Sequence, residues 1–131
     1  MNERALKVFI VDDDSFLLRM YSRKFKNDGF EVDTASGSQE ALDKLENGAA
    51  PDIILLDVIM PGMDGLAMLK NMRERSLAEG ALVIMLTNQG QSDDIDAAQE
   101  IGVDGYIVKA TAVPSEVIEE VKRIYNESKT E

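Results

Sequence analysis

The 131-residue sequence contains no cysteine and no histidine. Without cysteine there are no disulfides, thiol nucleophiles or zinc–thiolate centres. Without histidine, Ser-His-Asp catalysis and imidazole metal sites are excluded. Any metal must be a hard, oxygen-ligated ion such as Mg²⁺ or Ca²⁺. Positive charge is scarce: 14 Lys and Arg face 25 Asp and Glu, for a net charge of −11. That balance argues against nucleic-acid phosphate or an anionic membrane as the main partner. No apolar run approaches the ~20 residues that span a bilayer. The opening Met1-Asn-Glu-Arg4 has no signal-peptide layout, so a cytoplasmic location is expected. With 44% hydrophobic and 30% charged residues, the chain reads as one globular domain over 1–131, its core about 6–126.

Five short apolar runs recur at even spacing: Val8-Phe-Ile-Val11, Glu31-Val-Asp-Thr34, Ile53-Ile-Leu-Leu56, Leu82-Val-Ile-Met-Leu86 and Gly105-Tyr-Ile-Val108. The first, third and fourth are apolar throughout, as central parallel strands covered on both faces are. The second is more polar and suits an edge. Segments of helical spacing separate the runs. Leu17, Tyr21 and Phe25 form one stripe, closed by Gly29. Ser36-x-x-Gln39 has capping-box form, and Gly48 ends that segment. Asp64 is placed to cap a third helix with Leu66, Leu69 and Met72 inward and Gly80 at its close. Ser92 caps a fourth, with Ile95 and Ala98 inward and Gly102 as stop, and Pro114 opens a fifth carrying Val117, Val121 and Ile124. The order (βα)₅ predicts an α/β, flavodoxin-like fold: a five-stranded parallel sheet in order 2-1-3-4-5 with helices on both faces.

In such sheets ligands sit at the carboxyl ends of the strands. The first run ends in Asp12-Asp13-Asp14, the third in Asp57, the fourth in Thr87 and the fifth in Lys109. The expected strand order brings these groups to one rim. Two carboxylates ~4 Å apart repel by roughly 4 kcal/mol at an effective dielectric near 20. A divalent ion relieves this, so a Mg²⁺ site at Asp12, Asp13 and Asp57 is inferred, built around a phosphate. Asp57 has the chemistry of a nucleophile that forms an aspartyl phosphate. Lys109 and the Thr87 hydroxyl can each engage a phosphoryl oxygen, with the Val58 and Asn88 amides completing the cradle. Asp14 reads more simply as a helix cap, and the Leu and Met stripes read as core.

Phe9-Ile-Val-Asp12-Asp13, Ile54-Leu-Leu-Asp57, Met60-Pro-Gly-Met-Asp-Gly65, Met85-Leu-Thr87 and Gly105-Tyr-Ile-Val-Lys109 occur in order. In this ordered set the sequence resembles the response regulator receiver domain of two-component signalling. The likeness runs from Lys7 to about Asn126 and is close in length to single-domain, chemotaxis-type regulators. The resemblance implies that Asp57 accepts a phosphoryl group from a phosphohistidine on a sensor histidine kinase or a histidine phosphotransfer protein. It implies Mg²⁺ held by Asp12, Asp13, Asp57 and the Ile59 backbone carbonyl, with Thr87 and Lys109 on the phosphoryl group. Tyr106 becomes the switch aromatic that follows Thr87, and the surface of the fourth helix, fifth strand and fifth helix is read by a downstream protein. Such a domain is a phosphoacceptor with at most self-phosphorylation and self-dephosphorylation, not a turnover enzyme. It is expected to be a monomer that dimerises weakly when phosphorylated, and Asp93, Asp94 and Asp96 on the fourth helix suit a basic partner surface.

Three positions depart from the family pattern. Ala110 replaces the usual proline after the lysine, where a cis bond would cost ~2.5–4 kcal/mol without proline. Asn88 stands where the family often has Ala, Gly or Ser, and Ile59, two beyond the acceptor, is apolar, so dephosphorylation is expected to be slow unless a partner accelerates it. Two other functions stay open on the residues. One is a scaffold form that no longer takes phosphate. The other is a Mg²⁺ phosphatase using Asp12-x-Asp14. A flavin site is disfavoured, because three acids follow the first strand where an anion-binding loop would stand.

Overall fold

The computed structural model describes residues 5–87, 92–108 and 113–129, without the side chains at 87, 92, 94 and 129. Strands and helices alternate as β1 (Lys7–Val11), α1 (Ser15–Asn27), β2 (Glu31–Ala35), α2 (Ser38–Glu46), β3 (Ile53–Asp57), α3 (Gly65–Glu74), β4 (Leu82–Thr87), α4 (Ser92–Ile101), β5 (Gly105–Val108) and α5 (Pro114–Lys129). The five strands form one sheet in the order β2-β1-β3-β4-β5, with every neighbouring pair parallel. This is the flavodoxin-like (βα)₅ arrangement expected from the spacing of the apolar runs. None of the helices among the described residues is long and apolar enough to cross a membrane.

Strand alternation divides the core in two. Phe9, Val11, Ile54, Leu56, Val83 and Met85 pack with residues of α2, α3 and α4 on one face. Val8, Ile10, Ile53, Leu55, Ile84 and Leu86 pack with residues of α1 and α5 on the other. Ile53 to Leu56 are fully buried, so each contributes roughly 1.5–3 kcal/mol of burial. β2 is half-exposed, in keeping with its place at the edge.

Local details depart from the sequence reading at three points. The buried stripe of α1 is Leu18, Tyr21 and Phe25, with Leu17 only partly buried. At α2 the N-cap is Gly37, which makes no side-chain cap bond. The carboxylate that reaches back is Glu40, which accepts from the Ser36 amide (3.1 Å) and hydroxyl (2.8 Å), so the Ser36–Gln39 box is not formed. The third helix stops at Glu74 rather than near Gly80. There Leu77 turns in against the core and its amide donates to Met72, which ends the helix by burial rather than by glycine. Gly29, Gly48 and Gly102 close α1, α2 and α4 with positive φ, as expected.

Candidate functional site

The register of the sheet assembles the site. Val11 pairs with Leu56, so the residues that follow, Asp12 and Asp57, stand side by side at the ends of β1 and β3. Asp57 is itself the last residue of β3 and pairs with Leu86 of β4. Thr87 pairs with Val108, which brings the ends of β4 and β5 to the same rim.

The three consecutive aspartates have different fates. Asp12 is 1% exposed; its Oδ1 accepts from the Asp14 amide (3.0 Å). Asp13 faces solvent. Asp14 caps α1, its Oδ1 accepting from the Phe16 (3.0 Å) and Leu17 (3.2 Å) amides. Asp14 thus serves as a helix cap, and the carboxylates that gather with Asp12 are those of Asp13 and Asp57.

Carboxylate oxygens of Asp12, Asp13 and Asp57 lie within 4.8 Å of one another. At that distance each ionised pair repels by roughly 3.5 kcal/mol at an effective dielectric of 20. Two of the three are buried, Asp57 being 4% exposed. An all-oxygen set with one solvent-facing member fits Mg²⁺, which takes one or two carboxylates, keeps several waters and leaves room for a phosphate oxygen. Softer metals find no thiolate or imidazole in this chain.

The loop from 58 to 64 is held at several points. The Val58 amide, expected to face a phosphoryl group, donates instead to the Leu86 carbonyl (3.2 Å) and so prolongs the β3–β4 ladder. Ile59 projects outward at 52% exposure, and Met60 turns back into the core. Asp64 caps α3 through the Ala67 amide (2.9 Å). The Gly65 amide then donates to the Val58 carbonyl (2.7 Å). A Cβ on Gly65 would lie 2.1 Å from the Asp57 carbonyl oxygen, so only glycine lets α3 start against the backbone of the candidate acceptor. Sequence reasoning placed Gly65 in a family motif but missed this close approach, which no local pattern encodes.

Of the remaining expected site residues, Tyr106 lies on β5 and is 42% exposed. The Thr87 side chain, Asn88, Lys109 and the Lys109–Ala110 peptide fall outside the described residues, so the expectations for them rest on sequence. Strand pairing brings the positions just before Asn88 and Lys109 to the rim.

A doubly wound parallel domain with an acidic, oxygen-only pocket at its carboxyl edge belongs to the open α/β class, which places its ligand sites at the carboxyl ends of the strands. Residues 8–122 match the family described as response regulator receiver domain. The chain is 34% identical over 122 residues to the alkaline phosphatase synthesis transcriptional regulatory protein PhoP of Bacillus subtilis, covering 93% of this chain and 49% of that protein. It therefore spans about half the length of that curated relative. Among solved structures, the chemotaxis protein CheY4 of Vibrio cholerae is 31% identical with a TM-score of 0.83, covering 92% of this chain and 98% of that one. A CheY-like receiver domain protein from Methanospirillum hungatei is 27% identical with a TM-score of 0.85, covering 96% and 98%. The chain belongs to the response regulator receiver domain family of two-component systems, a family of signalling domains.

Proposed function

We propose that residues 1–131 form a single phosphorylation-dependent signalling receiver with Asp57 as its phosphoacceptor. The observation that carries this reading is the meeting of Asp12, Asp13 and Asp57, two of them buried, at one sheet edge. In the proposed step an Asp57 carboxylate oxygen attacks the phosphorus of a partner's phosphohistidine. The new O–P bond forms as the P–N bond breaks, and the imidazole leaves with the bonding pair and takes up a proton. Bound Mg²⁺ would offset the charge of the transferring phosphoryl group. Asp12, Asp13 and Asp57 would hold the ion, together with the Ile59 carbonyl. Lys109 and the Thr87 hydroxyl would each take a phosphoryl oxygen, and Asn88 would add its amide.

The partners in this reading are a sensor histidine kinase or histidine phosphotransfer protein upstream and a target protein downstream, in the cytoplasm. Thr87 and Tyr106 form the switch, and α4, β5 and α5 carry the surface it alters. A few kcal/mol of differential interaction suffice to invert a two-state population. The outward Ile59 supports slow loss of the phosphoryl group, because an apolar side chain two residues beyond Asp57 hinders an attacking water.

Mass spectrometry after incubation with Mg²⁺ and a small phosphodonor tests the reading. An acyl phosphate mapped to Asp57, lost in Asp57→Ala and without added Mg²⁺, is the expected result. An unmodified Asp57 in the wild type would overturn it and leave the scaffold alternative.

A further inference from the structure

Apart from the phenol of Tyr21, the buried polar side chains among the described residues are Asp12, Asp57 and Ser38. The first two belong to the acidic pocket. Ser38 is 3% exposed and lies in α2, on a different element from either. Its hydroxyl donates to the Met63 carbonyl at 2.8 Å, across 25 residues of sequence. A serine opening a helix ordinarily spends its hydroxyl on the helix's own free amides. Here Glu40 closes the start of α2 through Ser36, and the Ser38 hydroxyl reaches the neighbouring loop.

That loop carries the site. Its first residues are tied to the ladder by the Val58 amide, and its end is tied by Gly65 and the Asp64 cap. Between those anchors Ile59 is exposed and Gly62 takes a φ of +77°. The Ser38 bond is a polar side-chain link that holds the Met63 end of the loop to α2, beside the packing of Met60 and Met63 against the core.

We propose that Ser38 is a positioning residue for the site: its buried hydroxyl locks the β3–α3 loop, and with it the Ile59 backbone, beside Asp57. The role toward Mg²⁺ rests on the phosphoacceptor reading; the lock itself does not. Replacing the hydroxyl leaves a part-buried carbonyl without that donor, so the loop opens more often. The effect is local, because no apolar contact of the core is removed.

The test uses Ser38→Ala and Ser38→Thr in the full chain. Hydrogen exchange is measured without metal at the Val58 and Gly65 amides, which are hydrogen-bonded at the two ends of the loop, and Mg²⁺ affinity is measured by titration. Ser38→Ala is expected to speed exchange at those amides about tenfold while amides of β1 and β3 stay within twofold, and to weaken Mg²⁺ binding about three- to tenfold. Ser38→Thr, which keeps the hydroxyl, is expected to restore both towards wild type. Loop exchange and Mg²⁺ affinity both within twofold of wild type in Ser38→Ala would overturn the proposal. So would equal acceleration throughout the domain, which marks a merely structural role. Faster loop exchange in a protein whose wild type binds no Mg²⁺ would support the lock while defeating the phosphoacceptor reading.

Discussion

Replacing Gly65 with alanine puts the geometry of the site to its most direct test. The added Cβ would stand 2.1 Å from the Asp57 carbonyl oxygen and 3.0 Å from the Val58 Cα. Both neighbours are backbone, one in β3 and one just past it, and neither can swing aside like a side-chain tip. Relief requires α3 to withdraw by about 1 Å, which stretches the Gly65–Val58 hydrogen bond beyond useful length. Losing that bond costs about 1 kcal/mol, and forcing packed elements apart costs about 1–3 kcal/mol more. The sum, roughly 2–4 kcal/mol, lowers Tm by roughly 6–16 °C for a domain of this size. Urea unfolding of Gly65→Ala beside two control variants measures it. Gly37→Ala meets nothing within 4 Å on extended backbone, so it should cost no more than about 1 kcal/mol, the difference between glycine and alanine at a helix N-cap. Gly105→Ala meets only the side chain of Ile124, with its Cδ1 at 2.7 Å, so it should cost less than about 1.5 kcal/mol. Phosphorylation of the folded Gly65→Ala protein by a small donor should fall at least about tenfold, since a 1 Å misplacement of a reacting group is worth up to about a hundredfold. A Gly65→Ala protein as stable as the Gly37 control would refute the argument that close approach dictates this glycine.

Two further outcomes separate the acidic residues by role. Asp12→Asn keeps the Oδ1 that receives the Asp14 amide but removes one charge from the cluster; the metal-free protein should melt higher and lose Mg²⁺ binding, while Asp14→Ala should lose about 1 kcal/mol through its cap and bind Mg²⁺ within twofold of wild type. Calorimetric scans with and without Mg²⁺ read both, and an Asp14→Ala protein that loses the metal would reverse the assignment. The bonds from Ser36, with the nearby Lys44 charge, hold the Glu40 carboxyl below its ordinary value of 4.5. A carboxyl lowered by folding adds stability that is fully present above that ordinary value and is lost as pH falls through the lowered one. The Tm difference between wild type and Glu40→Gln should therefore shrink between about pH 6 and about pH 3, and a pH-independent difference would contradict it.

Much of this protein is legible in the order of its residues. Strands that must be buried on both faces read as unbroken apolar runs, so Ile53 to Leu56 declared a central strand, and the polar Glu31 to Thr34 declared an edge. Parallel strands need crossovers, crossovers need helices, and handedness leaves few sheet orders. Acids following two apolar runs therefore pointed to one rim, where Asp12, Asp13 and Asp57 meet. Asp14 and Asp64 announced themselves as caps because a cap acts within three residues of itself. What was hidden depends on atoms far apart in the chain. The Val58 amide goes to a β4 carbonyl, Leu77 ends α3 by turning into the core, Ser38 bonds Met63, and Gly65 is required by the carbonyl of Asp57. A residue's period and its capping chemistry are properties of its near neighbours, so sequence states them. Which donor faces which acceptor, and where no Cβ fits, are set by the packing of elements brought together only by folding.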